Sequence, residues 1–204
     1  MSASPGWAVI VPVKPTAIGK SRLVVDGVER VALARAIALD TIAAAASCAL
    51  VDRVVVVTDD GGLVMLAFDI PGLRFVSEGE AGGLNEAIAV GAAACGGMPR
   101  AALLGDVPAL RPDDLGAALE QAAGVERGVV ADAEGTGSTL VTAAAGISWA
   151  SAFGEGSFAA HIGLECVPLE IAPSSSLRRD VDTADQLDAA RALGLGPRTA
   201  ALLG

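Results

Sequence analysis

Lys14 and Lys20 are the only lysines in a chain of 204 residues, and both fall in one short segment, VIVPVKPTAIGKSRL, residues 9–23. With Arg22 they set three cations directly behind an apolar run, residues 8–13, that has the length of a buried strand. Three such groups can together neutralise a triphosphate. The Gly-Lys-Ser at 19–21 is not a P-loop: Lys14 stands where that motif needs its first glycine. Pro12 and Pro15 also have no N–H to offer a phosphate. Anion binding at this loop therefore falls to side chains. Lys14, Lys20 and Arg22 are the candidate catalytic cations, and Lys14 and Lys20 the candidate nucleotide-phosphate ligands.

Carboxylates come next. Asp106, in LLGDVP, follows another apolar run. A magnesium ion typically takes one or two protein carboxylates and shares the rest of its shell with substrate phosphates. A turn or cap aspartate is the plainer alternative, and Pro108 favours a turn in either case. Asp180 and Asp182, in LRRDVDTADQL, are two apart and so share a side of an extended segment. Either suits a metal, while Asp182 or Thr183 also suits as the N-cap of a final helix. In AGGLNEA, Gly82 and Gly83 permit close backbone approach, and the Asn85 amide can read a base or ribose; a turn and cap would use the same residues. GTGST (135–139) and FGEGS (153–157) are glycine and hydroxyl loops. Ser157 opens a short helix whose N-terminus suits a phosphate.

These residues need a scaffold. Apolar runs of strand length, at 7–13, 53–58, 73–77, 100–105 and 128–132, alternate with helical stretches at 28–49, 61–68, 84–95 and 112–123. In the long first helix Arg30, Arg35 and Asp40 are expected to face solvent. Beyond residue 133 the pattern gives a loop leading into a strand, a short helix at 156–163 capped by Ser157, an edge strand at 166–171 and a last helix at 183–195. Strand–helix alternation predicts a single α/β domain spanning 1–204, Rossmann-like, with a mostly parallel sheet and helices on both faces. Ligands of such sheets sit beyond the carboxyl ends of the strands. The segments expected there are the lysine loop, Thr58–Asp60, residues 78–85 and the Gly-Asp-Val-Pro at 105–108. Glycines, carboxylates and both lysines thus gather at one edge, as an anionic ligand bound with a metal would require.

Bulk properties agree. Hydrophobic residues make up 52% and charged residues 19%, a globular composition. A net charge of −10 repels nucleic acid. No apolar run has membrane-spanning length and no secretory signal opens the chain. Cys48, Cys95 and Cys166 lack metal-ligand spacing and fit buried thiols of a cytoplasmic protein. His161 is the only histidine, and no G-x-S-x-G elbow accompanies it. Alanine-rich helix faces leave a homodimer open.

Taken in order, VIVPVKP…GKSRL, GLNEA, GDVP and RRDVDTADQL resemble the phosphoenolpyruvate/2-phospho-lactate guanylyltransferases of coenzyme F-420 biosynthesis, over nearly the whole chain. That resemblance implies the nucleotide-diphospho-sugar transferase (GT-A-like) fold, with VPVKP in place of the glycine-rich loop of sugar and molybdopterin members. It implies transfer of a guanylyl group from GTP to a phosphorylated three-carbon acid with Mg²⁺. Carried over from the family, Thr139, Gly154 and Ser157 contact the acid's phosphate; the residues' own chemistry offers Gly83 and Asn85 to the nucleotide, and Asp106 with Asp180 or Asp182 to the metal. Composition rich in alanine, glycine, valine and arginine suggests a GC-rich bacterial source and hence phosphoenolpyruvate; 2-phospho-lactate and 3-phosphoglycerate remain alternatives. A cytidylyltransferase of the same fold and a non-catalytic nucleotide-binding module are the rival readings.

Overall fold

Valine-rich runs set the sheet. The computed structural model describes residues 6–14 and 23–204. Strand β1 (Trp7–Pro12) is buried at every position and lies between β2 (Val51–Val57) and β4 (Arg100–Leu103), parallel to both. β3 (Leu73–Val76) extends the sheet beyond β2. On the other side β6 (Ser138–Ala143) runs antiparallel to β4 and to β5 (Arg127–Ala131), and the two-residue β7 (Val167–Pro168) closes that edge. The order is β3-β2-β1-β4-β6-β5-β7, a seven-stranded mixed sheet in which β6 is the reversed strand. The expected strand at 166–171 is thus real but short, as its edge proline demands.

Both faces of the sheet are covered, so β1 is apolar throughout instead of alternating. Val9 and Val11 pack with Ala38, Leu39 and Ile42 of α1 (Arg30–Ala46) and Leu115 and Leu119 of α4 (Pro112–Ala122). Ala8 and Ile10 face the other way, onto Ala87 and Ala92 of α3 (Leu84–Ala94). The short α2 (Gly61–Leu66) follows β2, and α5 (Ser157–Gly163) follows β6. Ser157 is the first residue of α5 rather than its cap. Gly156, at a left-handed φ of 66°, holds the cap position without a side-chain bond. Thr183 does cap α6 (Ala184–Leu193), in a reciprocal capping box with Gln186.

One further helix, α7 (Pro197–Leu203), is not expected from the sequence pattern, and it changes the first helix's solvent face. Asp40 is only 4% exposed. Its carboxylate accepts the amides of Arg198 at 3.1 Å and Thr199 at 2.7 Å, and so caps α7 from across the fold. Arg35 is likewise tied down, in a two-pronged ion pair with Asp60 at 2.7 and 3.0 Å. Among the described residues no helix is long and apolar enough to cross a membrane.

Replacing Asp40 with alanine removes the acceptors of the buried Thr199 amide and the part-buried Arg198 amide. It should cost about 1–3 kcal/mol, read as a lowered urea midpoint with an unchanged slope.

Candidate active site

The site forms where β1 and β4 end side by side. A Cβ on Gly105 would stand 3.0 Å from the Pro12 carbonyl oxygen, so glycine there lets the two strand ends close together. The closure sets Asp106 beside exposed Lys14. Both line a small cavity of about 170 Å³ with Pro12, Val13, Leu84 and Asp182. A larger cavity of about 750 Å³ shares Leu84, Leu104, Asp106 and Asp182 with it, and continues over Asp132, Thr136, Ser138, Asp180 and residues 153–157. Two adjoining subsites with carboxylates at their junction can hold two anionic substrates against each other.

Val181 positions the carboxylates on either side of it. Its side chain is fully buried with Leu33, Ile37, Leu187 and Ala190, and its amide donates to the Asp106 carbonyl at 2.9 Å. Asp180 is thereby held in a pocket of negative charge. Burial first, then the charge of Asp106, then those of Asp132 and Asp182, push its pKa up to about 7. Its buried Oδ1 has no hydrogen-bond partner. Ligand oxygens of Asp132, Glu134 and Asp180 lie within 4.8 Å of one another.

Asp132 is fixed at the end of β5. Its carboxylate accepts the amides of Thr136 at 3.0 Å and Gly137 at 2.7 Å, and its carbonyl accepts two bonds from Arg178. A side chain on Gly137 would collide with that carboxylate. Each carboxylate oxygen still has a lone pair for a cation. An all-oxygen donor set with one buried, unsatisfied carboxylate oxygen fits a hard divalent ion. Such an ion, when bound, would neutralise charge on substrate phosphates.

The structure brings Lys14, Asp106, Asp180, Asp182, Gly154 and Ser157 to this one region. Lys20 and Arg22 lie outside the described residues. Among the described residues Asp132, Glu134 and Asp180 form a carboxylate group able to hold a metal, and the sequence reading misses Asp132 and Glu134. Asp106 and Asp182 line the same cavity beside it. The signal that picks Asp106, an aspartate directly after a buried strand, also marks Asp132. Thr139 is fully buried and its hydroxyl has no hydrogen-bond partner; Ser138, not Thr139, lines the cavity. Gly83 stands at the cap of α3, where a Cβ would meet open space. Asn85 binds the backbone of Phe153 through both ends of its amide. Thr58 and Asp60 serve α2: Asp60 caps it, and its own amide donates to the Thr58 hydroxyl.

The Ser138–His161 pair does not form a nucleophile and base. A backbone amide can only donate, so the Ala152 N–H at 2.9 Å fixes His161 Nε2 as the acceptor. Nδ1 then carries the proton and donates to the Ser138 oxygen at 3.0 Å. Burial also holds this imidazole below its ordinary pKa. It is a neutral structural group.

A family model described as "Guanylyl transferase CofC like" matches residues 7–190. The chain belongs to this family. Among CofC-like relatives, the phosphoenolpyruvate guanylyltransferase of Thermomonospora curvata is 49% identical over 96% of this chain and 88% of its own length. That of Streptomyces scabiei is 47% identical over 96% of this chain and 94% of its own. A 4-diphosphocytidyl-2C-methyl-D-erythritol synthase superposes with a TM-score of 0.62 at 16% identity, covering 94% of this chain and 99% of the other. At that identity the likeness is one of fold, and it matches the architecture expected for a CofC-like chain.

Asp180 yields a signed prediction. Its folded pKa of about 7 stands above the ordinary 3.8, so the protonated carboxyl stabilises the fold and that contribution is lost as pH rises through about 7. Asp180→Asn should raise the melting temperature without divalent ions by about 2–4 °C, more at pH 8 than at pH 5. Added divalent ions should stabilise the unmodified protein at pH 8, and the same variant should lose that stabilisation.

Proposed function

We propose that the protein transfers the guanylyl group of GTP to phosphoenolpyruvate, giving enolpyruvyl-diphospho-guanosine and pyrophosphate, in coenzyme F-420 biosynthesis in the cytoplasm. The observation that carries this reading is the pair of adjoining cavities joined at Asp106 and Asp182, one lined by Lys14 and the other by the Gly154–Ser157 loop. The choice of acid is supported by relatives at 47–49% identity that are named for phosphoenolpyruvate.

A phosphate oxygen of the acid attacks the α-phosphorus of GTP. A new P–O–P linkage forms, the bond from the α-phosphorus to the bridging oxygen breaks, and pyrophosphate leaves with that electron pair. The nucleophile is already ionised near neutral pH, so no general base is required, in keeping with a histidine held neutral as a strut. The protein's work is then alignment and charge neutralisation. Lys14, joined by Lys20 and Arg22, would hold the triphosphate. Gly154 sits at a φ of +144° and Gly156 at +66°, conformations that favour glycine, and together they turn the backbone around the cavity toward Ser157. That turn, with Ser138 lining the same cavity, would receive the acid's phosphate. Asp106, Asp132, Glu134, Asp180 and Asp182 are the carboxylates available to magnesium, which would supply positive charge between the two substrates.

The test is pyrophosphate release in Mg²⁺ buffer, with each of GTP, CTP, ATP and UTP paired with phosphoenolpyruvate, 2-phospho-lactate or 3-phosphoglycerate. Release with GTP and phosphoenolpyruvate is expected. Release with CTP alone, or with GTP and only another acid, would replace the substrate named here. Lys14→Ala and Asp106→Asn should each lower kcat/KM by about 100-fold or more, with the fold retained by circular dichroism. Unchanged turnover in either variant would remove that residue from the machinery.

A further inference from the structure

Asn85 is the second residue of α3, and its neighbour Leu84 lines both cavities. Its side chain does not point its amide at open solvent. Nδ2 donates to the Phe153 carbonyl at 2.9 Å, and Oδ1 accepts the Phe153 amide at 2.8 Å. The orientation of the amide is fixed by its partners, since a backbone N–H must meet the oxygen and a backbone C=O the nitrogen. One side chain thus satisfies both polar groups of a residue 68 positions away.

Phe153 begins the turn that lines the larger cavity. Its ring is buried with Ile88, Val129 and Val141, and meets His161 edge-on at 4.9 Å. The preceding residue, Ala152, is held by His161 Nε2. On the far side, the Phe158 amide donates to the Thr136 carbonyl at 3.1 Å. Between those anchors, residues 154–156 are exposed and two of them are positive-φ glycines. Glycines leave such a turn many alternative conformations, so its shape depends on how firmly its ends are held.

We infer that Asn85 is a positioning residue for the acid subsite: its amide clamps Phe153 and, with His161, fixes the 153–157 turn in the shape that receives the phosphorylated acid. The inference rests on the guanylyl-transfer reading for the identity of the acid, but the clamp itself is a property of the fold. It gives the conspicuous Asn of the GLNEA segment a different task from reading the base.

The two tasks separate kinetically. With the full-length protein, Mg²⁺, GTP and phosphoenolpyruvate, Asn85→Ala should raise the KM for phosphoenolpyruvate about tenfold. The KM for GTP and the ranking of the four nucleotides should stay the same. Asn85→Asp keeps the side chain's size and the acceptor for the Phe153 amide but sets a carboxylate against its carbonyl, and should show the same selective rise. Hydrogen–deuterium exchange, measured without substrates, should be faster in residues 152–157 of both variants and unchanged in α3. A raised KM for GTP with that for phosphoenolpyruvate unchanged, or an altered base ranking, would make Asn85 a nucleotide ligand and overturn the inference. So would unchanged exchange in 152–157. If the unmodified protein does not turn over GTP with phosphoenolpyruvate, the reading of the reaction fails, while the exchange comparison still decides the clamp.

Discussion

The hydrogen bond from the Val181 amide to the Asp106 carbonyl joins two parts of the chain that are remote in sequence. The placement of Asp180 and Asp182 against Asp106 depends on that junction. It draws the segment before α6 across the end of β4, and the burial of Val181 among Leu33, Ile37, Leu187 and Ala190 keeps it there. Hydrophobic burial sets the position and the backbone bond sets the register. The carboxylates on either side have no choice of their own. Asp180 is left half-buried against Asp106 and Asp132, an arrangement no side chain would adopt for its own stability. The apolar core holds like charges together that would otherwise move apart.

The electrostatics of the whole chain sharpen this. A protein with a net charge of −10 that handles two phosphorylated anions needs its few cations where the anions meet. Lys14 lines the small cavity together with Asp106 and Asp182, and burial, then Asp59, raise the pKa of Glu78 while Lys14 lowers it. In the proposed reaction, repulsion between substrates and protein would be countered locally, by placement, and not by the total.

Much of the scaffold is legible in the sequence because its strands are continuous valine and alanine runs, which identify sheets covered on both faces. The GDVP and RRDVDTADQL segments are legible for a related reason: each sets carboxylates beside an apolar residue that must be buried. Other features depend on contacts that periodicity does not encode. Asp40 reads as an exposed aspartate of an alanine-rich helix, and only the docking of α7 buries it. The reversed strand β6 presents its first residues, Ser138 and Thr139, at the edge where the other strands present their last, so a search confined to the carboxyl ends of strands passes over them. Asp132 does stand at such an end, but the amides that fix it, those of Thr136 and Gly137, sit in a loop whose glycines and hydroxyls suggest phosphate binding instead. Asn85 stands out for its amide, but its partner lies in a loop remote in sequence.

The lone histidine carries a last consequence. His161 is sealed from solvent, holds the Ala152 amide with one nitrogen and Ser138 with the other, and has no capacity left to shuttle protons. In the proposed transfer the attacking phosphate and the departing pyrophosphate exchange one phosphoryl bond for another. In proton terms the chemistry is silent. What the protein lends to the bond exchange is fixed charge and fixed shape, and its imidazole serves as masonry.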